Sequence, residues 1–340
     1  MCSMEQLSER FRRFADMECR HSSRLYEHLA RNAAEDPELL KLAAHSRPGQ
    51  PVPNLFLGAV HYLLLKGIRH ELAYYYDSIV QDPKDLAGVF APFKQFCKQY
   101  EAEIVDLLET RLVQTNEMRR CAYLYPAFCY IYQLTGKPLS LVEIGTSAGL
   151  QLLWDKYRYS YSSQTVEYGN EHAALKIISE LGGNPFLYVQ SPPVADRVGI
   201  DLHINDLKDP DHYLWLKALI WPEHKERRAY FEAAAACLEH YPVHLIEGDG
   251  VELLPDIIPT LANDSTLCIF HTHVANQFPA ATKTKLIQFI QVLGQQRDVF
   301  HLYNNMWDMD LHLDFYGNGE EKKLTLAETD GHGRWFKWEG

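Results

Sequence analysis

Positive charge is scarce in this 340-residue chain: 33 Lys and Arg stand against 45 Asp and Glu, a formal net charge of −12. There is no lysine-rich tail. Nucleic acids and anionic membranes both call for a basic face, so neither is expected as the main partner. The seven cysteines, at positions 2, 19, 97, 121, 129, 237 and 268, form no CxxC pair. A zinc knuckle or a disulfide framework is therefore not indicated. Reduced thiols in a cytoplasmic protein are the expectation. No apolar run reaches the roughly 20 residues a membrane span needs. The opening "MCSMEQLSERFRRF" is charged throughout and lacks the apolar centre of a signal peptide. Internal repeats, low-complexity tracts and the GxGxxG dinucleotide fingerprint are also missing.

What is present falls into two textures. Residues 1–136 read as an all-helical N-terminal domain. "MEQLSERFRRFADMECRHSSRLYEHLARNAA", "FLGAVHYLLLKG" and "FKQFCKQYEAEIVDLLETRLVQ" place apolar residues at helical spacing, and the proline-rich "SRPGQPVPN" separates the first two. The change comes at "TGKP", Thr135–Pro138, where glycine ends a helix and proline prevents its continuation. Residues 137–340 then alternate short apolar runs with helical stretches. The runs are "LSLVEIG", "RVGIDL", "VHLIEGD", "TLCIFHTHV" and "DVFHLYN". This alternation predicts an α/β domain with a doubly wound, mostly parallel sheet. "KKLTLAETDGHGRWFKW" predicts a closing antiparallel hairpin with Asp330–Gly331 at its turn.

Ligands of such sheets bind beyond the carboxyl ends of the strands. The turn after the first strand, "LVEIGTSAGL", holds Gly145, Thr146, Ser147 and Gly149, with Glu143 just before it. A pyrophosphate would be repelled by Glu143, by about 4 kcal/mol for unit charges 4 Å apart at an effective dielectric of 20. A cation would be attracted. S-adenosylmethionine carries an ammonium and a sulfonium and would suit the turn; an ordinary αβ turn with a solvated glutamate is the equal alternative. Asp201, ending "VGID", could accept from the ribose hydroxyls, and Asp249 in "IEGDG" would lie on the adenine side; an aspartate at a strand end can equally be a helix cap. Asp201 lies 201 − 149 = 52 residues past Gly149, so an insertion of about residues 156–196 must intervene. Glu167, at 167 − 149 = 18, is the competing ribose acid.

"QTNEMRR", "LVEIGTSAGLQLLWDKYRY", "RVGIDLHINDL", "WPEH" with a following arginine, and "FHTHVANQF" resemble, in order, segments of a bacterial family called domain of unknown function 2332. The resemblance runs from about residue 50 to the end. It implies a methyltransferase-like (Rossmann-like) fold with S-adenosylmethionine as cofactor, and names no reaction or substrate. Arg119, Ile204 and "HTHV" depart from the family's usual glycine, proline and His-Ser-Val, which bears on substrate contacts.

Two further groups stand out. Read as one helix, "IVDLLETRLVQTNEMRRC" puts Ile104, Leu107, Arg111 and Met118 on one face, flanked by Gln114 and Thr115, with Asn116 and Arg120 nearer the opposite face. It is either a buried polar network or a lid that gives Arg111, Gln114, Asn116, Glu117 and Arg120 to a small-molecule substrate; an anionic one would suit the arginines. His271 and His273 form an HxH at the end of the fourth strand, read as pointing to one sheet face. His271 is the candidate general base, with a core histidine as the plain alternative. The expected activity is methyl transfer to a small molecule. The competing expectations are a non-catalytic binder of the cofactor or a nucleoside, and a metal-dependent hydrolase built on the two histidines.

Overall fold

The computed structural model describes residues 3–162, 165–317 and 320–340. Cys2 lies outside them. In chain order the helices are α1 (Met4–Phe14), α2 (Arg24–Ala34), α3 (Pro37–Ala43), α4 (Val52–Leu65), α5 (Phe90–Gln99), α6 (Glu101–Thr110), α7 (Cys121–Thr135), α8 (Pro210–Ala218), α9 (Lys225–His240), α10 (Gly250–Ile257) and α11 (Ala280–Gly294). The strands are β1 (Leu139–Ile144), β2 (Arg158–Tyr161), β3 (Glu167–Gly169), β4 (Lys176–Gly182), β5 (Val194–Asp201), β6 (His244–Glu247), β7 (Thr266–Thr272), β8 (Val299–Asn304), β9 (Leu311–Gly317), β10 (Glu320–Thr329) and β11 (Trp335–Trp338).

The chain divides into two compact units. One is Met1–Thr115 with Leu207–Ala229, the other Asn116–Asp206 with Tyr230–Gly340. Residues 116–136, expected with the helical domain, therefore belong with the sheet. The segment 207–229, expected with the sheet, belongs with the helices.

In the helical unit, α4 is enclosed on nearly every side, and its His61 is fully buried. The ring meets Ala218 O through Nδ1 at 2.8 Å and Ser78 Oγ through Nε2 at 2.7 Å. Burial pulls its pKa down to about 3. Trp221 packs on Phe14 and Tyr26 in the same unit.

The long helix read across residues 104–121 is not one helix. α6 stops at Thr110, and Arg111 is already extended at φ −89°, ψ 159°. Backbone groups of the following segment bond elsewhere: Val113 N–H donates to Gln50 Oε1 at 2.8 Å, and Leu112 O accepts from Trp215 Nε1 at 2.8 Å. Helix returns only as a single turn over Met118–Arg120 and then α7. These side-chain partners, together with β-branched Val113 and Thr115, outweigh the periodicity.

In the other unit, eleven strands among the described residues form one sheet in the order β3-β2-β4-β11-β10-β9-β8-β7-β1-β5-β6. β6, β5, β1, β7 and β8 are mutually parallel. β8–β9, β9–β10 and β10–β11 are antiparallel, and the last pair is the expected terminal hairpin. The chain thus has an α/β sheet that is mostly parallel. Strands β2–β4, within the expected insertion, extend its far side.

Alternation assigns the two faces. Val142, Ile144, Ile200, Leu267, Ile269 and Val299 pack with Leu254 and Ile257 of α10 and Leu286 and Ile290 of α11. On the other face, Phe128 of α7 stacks on Trp154 and meets Phe270 edge-on. This core of some fifteen fully or nearly fully buried side chains contributes roughly 1.5–3 kcal/mol per large aliphatic residue. It fixes which polar residues share the carboxyl edge.

Candidate functional site

Register decides which side chains meet. Glu143 pairs with Phe270 and with Gly199, so it stands on the α7 face. Asp201, two residues after Gly199, takes the same face. So do Thr272 and its partner Asn304. His271 alternates with Phe270 and falls on the opposite face, with Ile269 and Tyr303.

The turn is tied to β5 by its backbone. Gly145 N–H and Thr146 N–H both donate to Ile200 O, at 2.8 and 3.3 Å. Gly145 has φ +77°, and a Cβ there would lie 2.6 Å from a Val274 methyl, so both backbone and space require glycine. Ser147 has φ +53°, a left-handed conformation that strains a residue bearing a Cβ. Its N–H donates to Asp201 Oδ2 at 2.8 Å. Its Oγ accepts from Asn116 Nδ2 and Asn205 Nδ2, each at 3.0 Å. Two other non-glycine residues at this edge are also left-handed: His273 after β7, at φ +55°, and Asn305 after β8, at φ +53°. Among the described residues only His21 joins them, so such strain concentrates at the carboxyl ends of β1, β7 and β8.

Glu143 is almost wholly buried. Thr146 Oγ1 donates to its Oε2 at 2.5 Å. Burial raises its pKa to about 8; the Thr146 bond and Arg120 act against this, and Asp201 adds to it. Glu143 therefore holds a proton at neutral pH. Burial also raises Asp201, against the amide bonds from His203 and Ser147. The remaining residues weighed for the cofactor differ in role. Gly149 is left-handed at φ +76° and opens a 3-10 turn rather than an α-helix. Asp249 Oδ1 accepts from Val251 and Glu252 N–H, so it caps α10, the alternative that strand-end aspartates allow. Glu167 sits on β3, bonded to Lys176 at 2.5 Å and beside Arg158, away from the turn.

The expected substrate residues are split between the units. Arg111 and Gln114 belong to the helical one. There Arg111 pairs with Asp211, which also accepts from Tyr62, and its guanidinium lies over Trp215 at 5.8 Å. Asn116, Glu117 and Arg120 belong with the sheet. Asn116 reaches Ser147, as described. Arg120 Nε donates to Gly331 O at 3.0 Å, and Glu117 Oε2 meets His332 Nδ1 at 3.2 Å, so the hairpin turn joins this edge.

His271 does not line the edge. Its ring is fully buried, with Nε2 3.0 Å from His301 Nε2, stacked on Tyr303. Burial, with some help from Lys283, lowers its pKa to about 3. It is a core histidine, and the base role is withdrawn. Nor does the HxH pair share a face, because the strand ends at Thr272 and His273 turns off it. His273 instead meets Asn305 Nδ2 at 3.0 Å and Asn304 Nδ2 at 3.4 Å. Among the described residues no group of three or more His, Cys, Asp or Glu is placed to hold a metal ion.

Sequence reasoning missed Asn205, Thr272, Asn304 and Asn305. Asn304 is fully buried; its amide donates to Tyr123 at 3.1 Å and its Oδ1 has no partner among the described residues. The signal was available: "LYNN" ends the fifth predicted strand as "GID" ends the second.

A doubly wound α/β unit with a polar, strained carboxyl edge is thus the class that fold and site define. The chain belongs to the family described as "Uncharacterized protein conserved in bacteria (DUF2332)", whose family model matches residues 8–338. Comparison with curated proteins and with solved structures gave no match. Among the described residues no helix is long and apolar enough to cross a membrane. None of the six described cysteines forms a disulfide.

Proposed function

We propose that the sheet unit binds S-adenosylmethionine at the carboxyl edge of β1 and β5 and donates its methyl group to a small molecule. The observation that carries this reading is the pair Glu143 and Asp201. Two carboxyl groups stand on one sheet face, at the ends of adjacent parallel strands, around a strained glycine turn. The strand order β6-β5-β1-β7-β8 reverses at β1, where doubly wound sheets hold their ligands. A methyltransferase-like sheet has this arrangement, and the reading adopts that fold class.

In this reading Glu143 exchanges its proton for the ligand's ammonium, which replaces one positive group by another in an enclosed site. Asp201 accepts from the Ser147 and His203 amides, at 2.8 and 3.1 Å, which holds its carboxylate beside the turn, where it would meet the ribose hydroxyls. The methyl group is supplied by the cofactor, and the protein's part is positioning. Asn304 and His273, at the ends of β8 and β7, would face the acceptor. With His271 enclosed, binding without turnover is the second reading, and the metal-dependent hydrolase is not retained. Calorimetric titration of S-adenosylmethionine into wild type and Asp201→Ala tests the proposal: heat for the first and none for the second supports it. A panel of amine, thiol and carboxylate acceptors, assayed for the demethylated product, separates the two readings.

A further inference from the structure

With His271 in the core, methyl transfer to a hydroxyl would lack a base. The carboxyl edge holds a different imidazole. β10 is antiparallel to β9, and β9 to β8, so β10 ends at the same edge as β8. The turn after β10, Asp330–Gly333, therefore stands beside the ends of β7 and β8. A Cβ on Gly331 would lie 3.4 Å from His273 Cε1. Asp330 organises this turn: its O accepts from Gly333 N–H at 2.8 Å, and its Oδ2 accepts the His332 and Arg334 amides, each at 3.1 Å. The segment 116–120 packs against it. A Cβ on Gly333, at φ +69°, would lie 2.5 Å from Arg119 O, so the two backbones touch. Arg120 Nε donates to Gly331 O at 3.0 Å, and its charge also acts on Glu143. At the start of the segment, Asn116 reaches Ser147 Oγ. These five residues thus run from the Gly145 turn to His332.

On that frame Glu117 Oε2 meets His332 Nδ1 at 3.2 Å. The Glu117 side chain is 2% exposed and that of His332 50%. Arg119 N–H donates to the other carboxyl oxygen at 3.3 Å, a bond that favours the ionised acid. A carboxylate only accepts, so Nδ1 carries the ring proton and Nε2 the lone pair. The ring is anchored through Nδ1 to a buried acid, and its exposed end is the one that bears Nε2. A carboxylate that fixes the tautomer of an imidazole in this way is the arrangement that readies histidine as a base in Ser-His-Asp triads. His273 is not equivalent. Asn305 and Asn304 amides meet its two nitrogens, and burial lowers its pKa to about 3.

We propose that Glu117 and His332 form the general-base pair for the methyl acceptor, and that this acceptor is a small molecule methylated on a hydroxyl. The proposal rests on the methyl-transfer reading above. The acceptor oxygen forms a bond to the methyl carbon, the carbon–sulfur bond breaks with its electron pair left on sulfur, and the hydroxyl proton passes to His332 Nε2. Glu117 is a positioning residue: it holds the ring and its tautomer.

The test begins with the full chain labelled with nitrogen-15 histidine, in long-range proton–nitrogen correlation spectra above the usual histidine pKa of about 6.5. His332→Gln identifies the His332 signals by their loss. Wild-type His332 should be protonated on Nδ1, and Glu117→Gln should move that proton to Nε2, as an amide in place of an orienting carboxylate does. If Glu117→Gln fails to fold, the wild-type tautomer decides. S-adenosylmethionine should bind to wild type and His332→Gln alike by calorimetry. With a panel of small alcohols, phenols and amines, wild type should methylate a hydroxyl, and His332→Gln should lower that rate by about a hundredfold or more. An Nε2-protonated ring in wild type, turnover of amines alone or of nothing, or unchanged rates in His332→Gln would overturn the pair's role while cofactor binding stands. No heat from wild type with S-adenosylmethionine would overturn the methyl-transfer reading, and this role with it, whatever the tautomer.

Discussion

Replacing Glu143 by Gln should make the protein more stable at neutral pH, and increasingly so as pH rises. In the fold this carboxyl keeps its proton up to pH about 8, whereas in the unfolded chain it gives it up near 4.5. Between those values the folded state binds one proton more than the unfolded state. Stability therefore falls as pH rises, by about 1.4 kcal/mol per pH unit. The whole interval amounts to roughly 5 kcal/mol, of which about 3 kcal/mol is already lost at pH 7. Gln has the same shape, can accept the Thr146 hydroxyl bond, and does not titrate. Urea unfolding followed by far-UV circular dichroism, at intervals from pH 5 to 8.5, gives the two stabilities side by side. Their difference should be small at pH 5 and grow steadily in favour of Glu143→Gln. A difference that stays constant across this range would refute the argument, because Glu143 would then titrate alike in both states.

Gly145→Ala should cost at least about 1–2 kcal/mol, since both its φ of +77° and the Val274 methyl at 2.6 Å oppose a Cβ; adding Val274→Ala should recover part of the loss in the same unfolding assay. Ser147→Ala leaves the amides of Asn116 and Asn205 without their shared acceptor, and should cost about 1–3 kcal/mol by urea unfolding. On the acid side, His61 and His271 stay neutral in the fold down to pH about 3 while the unfolded chain protonates near 6.5, so stability falls as pH drops below 6.5. His271→Phe should reduce that slope by about one proton, read from the pH dependence of the urea midpoint.

The five parallel strands were legible because each is a short apolar run bounded by turn residues, and the terminal hairpin because Asp-Gly sits between two alternating stretches. The polar face of the site followed the same rule only where it was applied with its period of two. Glu143 and Asp201 sit on one face, and counting on from Ile269 would have sent His271 to the other. The helix through Arg111 was misread because periodicity alone cannot register that Gln50 and Trp215, far away in sequence, take up its backbone groups. The assignment of residues 207–229 to the helical unit depends on contacts such as Ser23 Oγ donating to Glu223 at 2.6 Å, which no local pattern carries. Asn304 escaped because an asparagine after an apolar strand looks like a turn residue, and only the parallel pairing with Thr272 brings it to the edge.

The central claim is that Glu143 trades its proton for a ligand cation. Calorimetric titration of S-adenosylmethionine into wild type at pH 6.5, 7.5 and 8.5 tests it most directly. The account predicts binding that tightens with pH up to about 8, close to tenfold per unit below that value, with a proton released to the buffer and with the pH dependence abolished in Glu143→Gln. No heat from wild type at millimolar ligand, or binding whose strength ignores both pH and the Glu143→Gln change, would contradict it.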